Sequence, residues 1–167
     1  VYKFPVTRQS MKKYDDHQSS SYDVEHCGWS NLPEDDWIWH DDKSWAIGEF
    51  VWTGFDYLGE AGYVHGGWPF RAFQGGALDL AGFPKDLYYL YQSQWREDLD
   101  MVHILPHWSH PDVEEGTLIP VWVYTTGDEA ELFLNGRSLG KVEKGQEWNR
   151  MQCEWQVPWE KGTLMAV

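Results

Sequence analysis

Positive charge is scarce in this chain. Lys and Arg total 13 against 27 Asp and Glu, a formal net charge of −14. Phosphate backbones are gripped by clustered Lys and Arg, so nucleic acid is not expected as a partner. An anionic membrane surface is not expected either, for the same reason. Cysteine is almost missing. Cys27 and Cys153 lie far apart in sequence, allow a single bridge at most, and point to no disulfide framework. There is no CxxC or HExxH pattern, so a structural metal site is not expected. No run approaches the roughly 18 apolar residues of a membrane span.

Aromatic rings are what the chain has in excess. Twelve Trp, nine Tyr and seven Phe make up 17% of it. Flat rings stack on the C–H faces of sugars, and they also fill cores and interfaces, so composition leaves both uses open. Hydrophobic residues at 42% are enough to bury a core. A length of 167 residues fits one ordinary domain or two partial ones.

Residues 1–32 are polar and irregular and read as a long functional loop, running through Tyr22, Asp23, His26 and Trp29. Asn31 as a cap, Pro33 in the first turn and Glu34 three residues after Asn31 predict a helix over 33–44. Residues 45–56 are apolar, aromatic and β-branched, the composition of a buried parallel strand covered on both faces. Gly48 and Gly54 within it suggest close approach of a backbone or ligand. A Gly-rich loop over 59–83 carries Trp68-Pro69-Phe70-Arg71, and Pro84 opens a second helix with Leu87, Leu90, Tyr91 and Gln94 on one face. Helix, strand, loop and helix in that order fit an α/β barrel or a doubly wound sheet.

After about Leu99 the texture becomes all-β. Short strands are expected at 102–106, 119–126, 131–139, 149–157 and 163–167, with Asn135-Gly136 as a type I′ hairpin turn. Strands this closely spaced predict a β-sandwich. At about 70 residues it falls short of the ~100 of an immunoglobulin-type fold, so it is expected to be incomplete.

Several stretches resemble glycoside hydrolase family 2, the β-galactosidases, β-glucuronidases and β-mannosidases. They are Gly48–Glu60, Asp79–Asp86, Tyr88–Trp95, Val102–Trp108, Ile119–Tyr124 and Glu131–Gly136, in matching order and spacing over most of residues 45–140. The resemblance implies the terminal portion of a (β/α)8 TIM barrel over 1–99, with its eighth strand ending Phe50-Val51-Trp52 and its eighth helix opening at Pro84. A partial immunoglobulin-like β-sandwich is implied over 100–167.

Barrel active sites lie at the C-terminal strand ends. Trp52, Asp56 and Tyr57 are therefore expected at the rim of a substrate pocket. Trp52 matches a family Trp set against the innermost sugar, with plain barrel packing as its alternative. Asp56 is read either as a substrate or site-supporting group or as a loop brace. Trp68 and Arg71 match a Trp-Pro-x-Arg element at the pocket mouth, although Arg71 could equally pair with a nearby acid. Trp29, in the early loop, is a further substrate-facing candidate. Glu49 and Glu60 are read as structural.

Retaining glycosidases work with two carboxyl groups about 5–5.5 Å apart. In the family both are glutamates near the ends of the fourth and seventh strands, and neither motif is visible here. No catalytic residue is therefore assigned, and the chain alone is expected to be inactive. Both ends look cut, and the N-terminal part of the same chain is the expected partner besides a carbohydrate substrate. No cofactor is expected. A periplasmic or secreted parent follows from the enzyme class alone. The implied activity is retaining hydrolysis of terminal β-galactosides or related β-glycosides. The rival is a non-catalytic carbohydrate-binding module. An adhesive immunoglobulin-like protein is disfavoured by the helix–strand–helix first half.

Overall fold

The computed structural model describes residues 2, 4, 6, 9–10, 19–26, 29–41, 43–59, 71–145 and 151–167. The chain forms two compact units, residues 1–3 with 7–88 and residues 4–6 with 89–167. The first is mixed α/β, the second mainly β.

In the first unit, helix α1 spans Pro33–Asp41. The Leu32 carbonyl accepts from Asp35 N at 3.0 Å and Asp36 N at 3.3 Å, so Pro33 falls in the first turn, where its missing N–H costs nothing. Glu34, Asp35 and Asp36 occupy the same turn, where the helix dipole favours carboxylates. Asn31 meets the helix through its amide, which donates to Asp36 Oδ1 at 3.0 Å. The helix stops at Asp41, short of the expected Ser44.

The expected loop over 1–32 contains a strand, because β1 (Gln9–Ser10) pairs in parallel with β2 (Glu25–His26). The Gly-rich segment likewise supplies β4 (Ala72–Phe73), antiparallel to β3 (Tyr57–Leu58). The expected strand over 45–56 is not realised as one. Residues 46–51 have no ladder, and Ile47 and Phe50 are fully exposed at 102% and 104%. A parallel strand takes its hydrogen bonds from flanking strands, and none of the two-residue strands described in this unit flanks that stretch. Nor are its glycines sites of close approach: a Cβ on Gly48 or Gly54 would meet nothing within 4 Å.

Helix α2 spans Asp86–Trp95. It starts two residues later than expected because Pro84 forms an antiparallel bridge with Leu78, and Lys85 N donates to Ala77 O at 2.9 Å. Both residues are held in sheet-like backbone. The buried face carries Leu90 and Tyr91, the latter stacked on Trp95 one turn later with ring centroids 4.7 Å apart.

In the second unit two three-stranded antiparallel sheets pack on one core. One has the order β5 (Val102–Leu105), β6 (Leu118–Thr125), β9 (Cys153–Pro158). The other has β10 (Leu164–Ala166), β7 (Glu129–Leu134), β8 (Arg137–Glu143). Alternation assigns the faces: Ala130, Leu132 and Leu134 of β7 point inward, as do Cys153, Trp155 and Val157 of β9. Strand β6 is buried from Ile119 to Thr125, as expected of the central strand of its sheet. Cys153 is a free buried thiol donating to Val142 O at 3.2 Å, and burial pushes its pKa up, which disfavours the reactive thiolate. Cys27 lies outside the described residues.

The β7–β8 hairpin turns on Asn135 (φ 53°) and Gly136 (φ 77°), both left-handed as a type I′ turn requires. The Asn135 side chain also closes the β9–β10 connection. Its Oδ1 accepts from Thr163 N at 3.0 Å, and its Nδ2 donates to Glu160 Oε1 at 3.0 Å and Lys161 O at 3.2 Å. Asn135→Ala loses these bonds and, with them, the polar side chain that makes the left-handed conformation tolerable at φ 53°. The expected destabilisation is about 1–2 kcal/mol, read from chemical denaturation. Unchanged stability would show the clamp to be idle.

Candidate functional site

The residues singled out around Trp52 are organised by backbone pairing between segments 53–58 and 72–78. Ala77 N donates to Thr53 O at 3.2 Å, Leu78 N to Gly54 O at 2.9 Å and Asp56 N to Leu78 O at 2.8 Å. The segments approach so closely at Gly76 that any Cβ there would overlap the Phe55 carbonyl carbon and the Asp56 nitrogen. Only glycine fits that position.

Asp56 is at the centre of this contact. Its side chain is 8% exposed, and Oδ1 accepts from Lys85 Nζ at 2.6 Å and from Gly76 N at 2.8 Å. Lys85 Nζ also donates to Gln74 O at 2.9 Å. One carboxylate oxygen thus ties together residues 56, 76 and 85, an arrangement that can brace the loop and can also support a site beside it.

Next to the brace is an aromatic row. Trp52 is 74% exposed. Its indole Nε1 donates to Tyr57 Oη at 3.3 Å, the rings meeting edge to face at 84° with centroids 6.1 Å apart. Tyr57 in turn leans on Phe73, its cross-strand partner, at 5.2 Å. The Trp52–Thr53 peptide is cis. An exposed indole flanked by two rings can take the C–H face of a ligand.

The structure thus gathers Trp52, Asp56 and Tyr57 into one neighbourhood. Arg71 enters it through its backbone, its carbonyl accepting from Gly59 N at 3.1 Å. Trp29 stands in the turn ahead of α1, 66% exposed. Trp68 and Glu60 lie outside the described residues. Sequence reading missed Lys85, Gly76 and Phe73. A signal was present for the first two: Lys85 is a rare cation inside the matched stretch Asp79–Asp86, and Gly75-Gly76 is an unusual pair in a segment that must lie flat. Among the described residues, no group of three or more His, Cys, Asp and Glu is placed to hold a metal ion.

Glu49 neighbours helix α1. It lies 3.9 Å from His40 Nε2, with the Asp36 carboxylate one turn earlier on α1. Desolvation, then the Asp36 charge, raises its pKa above the usual carboxylate value, with His40 opposing. An acid with a raised folded-state pKa favours folding when protonated. The contribution is present below its ordinary 4.5 and lost as pH rises through the folded value. Glu49→Gln keeps the shape of the side chain without the charge. Its melting temperature is expected to exceed that of the native protein near neutral pH and to converge with it in acid. Parallel curves across that range would contradict this.

Residues 116–167 match a family described as a domain of unknown function, DUF4982. A putative β-glucuronidase of Formosa agariphila is 67% identical over 126 residues, covering 75% of this chain and 12% of its own length. The β-galactosidase BoGH2A of Bacteroides ovatus is 42% identical over 149 residues, 89% of this chain and 17% of its own. The solved structure of a β-glycosidase from Bacteroides vulgatus superposes with a TM-score of 0.77 at 42% identity, over 90% of this chain and 18% of its own. A glycosyl hydrolase family 2 member from Bacteroides cellulosilyticus does so with a TM-score of 0.65 at 33% identity, over 78% of this chain and 21% of its own. The chain matches a segment of family 2 glycoside hydrolases. This family 2 segment spans only about an eighth to a fifth of the length of those proteins. Trp52, Asp56 and Tyr57 fall within Gly48–Glu60 and Lys85 within Asp79–Asp86, two of the stretches on which the resemblance rested, whereas Phe73 and Gly76 lie between them.

Proposed function

We propose that the parent protein of this segment is a retaining exo-β-glycosidase that releases terminal β-galactosyl units, with Trp52 supplying the face on which the sugar rests. The observation that carries the reading is the exposed indole backed by Tyr57 and Phe73, next to a carboxylate already neutralised by Lys85. A neutral pyranose suits an apolar ring face, and Lys85 is already committed to Asp56. A sugar acid would call for a further cation, which among the proposed surroundings could come from Arg71. Trp29, Asp56, Tyr57, Trp68 and Arg71 remain the proposed surroundings of this sugar, Asp56 acting as support. The two glutamates of the double-displacement reaction come from elsewhere in the parent, as the family resemblance implies. One attacks the anomeric carbon, and the other protonates the leaving oxygen and then activates water.

The bare run Trp45–Phe55 supports the same reading. Trp45, Ile47 and Phe50 are 78%, 102% and 104% exposed. In a segment that spans about an eighth to a fifth of its relatives' length, we take the cover to be the rest of the parent chain, against which this run forms the last strand of a barrel.

A β-glucuronide is the second reading, favoured by the name of the 67% identical Formosa relative. The full-length parent, assayed with nitrophenyl β-galactoside and nitrophenyl β-glucuronide, separates them. Preference for the galactoside is expected, and the reverse preference would replace the first reading by the second. Failure to cleave either, with retained binding of the free sugars, would leave a carbohydrate-binding module. The isolated 167-residue chain is expected to turn over neither substrate. Activity that follows the purified chain through fractionation would place the chemistry inside it.

A further inference from the structure

Besides its place among the surroundings of the sugar, Tyr57 touches Trp52 directly. We propose that Tyr57 is a positioning residue: its hydroxyl takes up the Trp52 N–H, so the indole meets its ligand by the ring face alone. This rests on the reading of Trp52 as the sugar-facing residue and adds how that face is set.

Three observations converge on it. The indole N–H is the single hydrogen-bond donor of a Trp side chain, and here it is directed at Tyr57 Oη, 3.3 Å away. The edge-to-face geometry, 84° between planes, turns the indole edge toward Tyr57 and leaves the ring 74% exposed. Tyr57 itself is fixed from two directions. Its ring lies 5.2 Å from Phe73 across the β3–β4 pair, and its chain neighbour Asp56 is tied to Lys85 and Gly76. A side chain so anchored can hold a solvent-facing indole in one orientation, which otherwise costs the rotamer entropy of an exposed ring.

With its in-plane N–H donated to Tyr57 Oη, the indole edge has no donor left for a ligand, and only the ring face is on offer. A pyranose that turns its C–H groups toward that face gains stacking. One that brings a hydroxyl oxygen to the edge finds the N–H already donated. The chemical class selected is therefore a neutral sugar with a continuous apolar face.

The test is a double-mutant cycle in the full-length parent, using whichever nitrophenyl glycoside the native protein hydrolyses. Tyr57→Phe keeps the ring against Phe73 and deletes only the hydroxyl. It is expected to raise KM about 3- to 5-fold with kcat nearly unchanged, since an indole freed to rotate binds substrate and transition state equally less well. Trp52→Phe removes the N–H from the other side, and in that background Tyr57→Phe is expected to add nothing. A KM for Tyr57→Phe equal to native, or an undiminished effect in the Trp52→Phe background, overturns the proposal while leaving the glycosidase reading intact. Absence of any turnover by the native parent overturns both. A loss confined to kcat, with KM unchanged, also counts against it, because that would make Tyr57 a participant in the reaction.

Discussion

Trp52→Ala in the full-length parent is expected to lower kcat/KM toward its nitrophenyl glycoside by about 70-fold, chiefly through KM. The size follows from area. A pyranose laid on an indole removes on the order of 100 Å² of apolar surface from water, worth about 2.5 kcal/mol at about 25 cal/mol per Å². Each 1.36 kcal/mol is a factor of about ten in rate. The effect falls on KM because stacking is present before and during bond cleavage alike. Folding should lose little, since the indole is 74% exposed and its one hydrogen bond is to an exposed hydroxyl. The melting temperature is therefore the control: a variant that melts with the native protein and has native kinetics would remove Trp52 from the sugar site.

Lys85→Met is expected to destabilise the 53–85 region by about 2–3 kcal/mol. Removing one partner of a buried ion pair strands the other, a loss of about 3–5 kcal/mol when both are fully buried. Asp56 meets that condition at 8% exposure, whereas the Lys85 side chain is 32% exposed, and the estimate is reduced accordingly. Met retains the hydrophobic stem and isolates the charge. Among the described residues, the stranded carboxylate keeps the Gly76 N–H as its one donor, and Gln74 O loses the Lys85 donor as well. Limited proteolysis between residues 71 and 85 should accelerate, and Asp56→Asn in the same chain should restore most of the protection, because a neutral amide has no charge to strand. Cleavage at native rates in the single variant, or no recovery in the double, would show that the pair does not hold this segment.

Much of the second unit was legible before any coordinates. Asn135-Gly136 specifies its turn by backbone sterics within two residues, and Ala130, Leu132 and Leu134 declare the inward face by alternation alone. Local rules suffice where structure is local. They fall short at Trp45–Asp56, where apolar composition suggested a strand. A strand is a relation between segments, and the described partners of this stretch begin only at Thr53. The site shows the same division. Trp52, Asp56 and Tyr57 lie within six residues and were readable together. The group that decides how Asp56 is used, Lys85, is 29 residues away and is brought in by the Leu78–Pro84 bridge, a contact no periodicity announces. The start of α2 was displaced for the same reason, since Pro84 and Lys85 serve that bridge before the helix begins.

The Asn135 clamp bears on how the molecule ages. Asparagine followed by glycine is the pair most open to deamidation: the next backbone nitrogen attacks the side-chain carbonyl carbon, ammonia leaves, and water opens the resulting succinimide to aspartate or isoaspartate. That attack needs a carboxamide free to swing toward the chain. Here it is held on both sides, its oxygen by Thr163 N and its nitrogen by Glu160 and Lys161. The contacts that fasten the β9–β10 connection to the hairpin therefore also restrain its most perishable bond, and chemical wear at Asn135 should begin only when the hairpin opens.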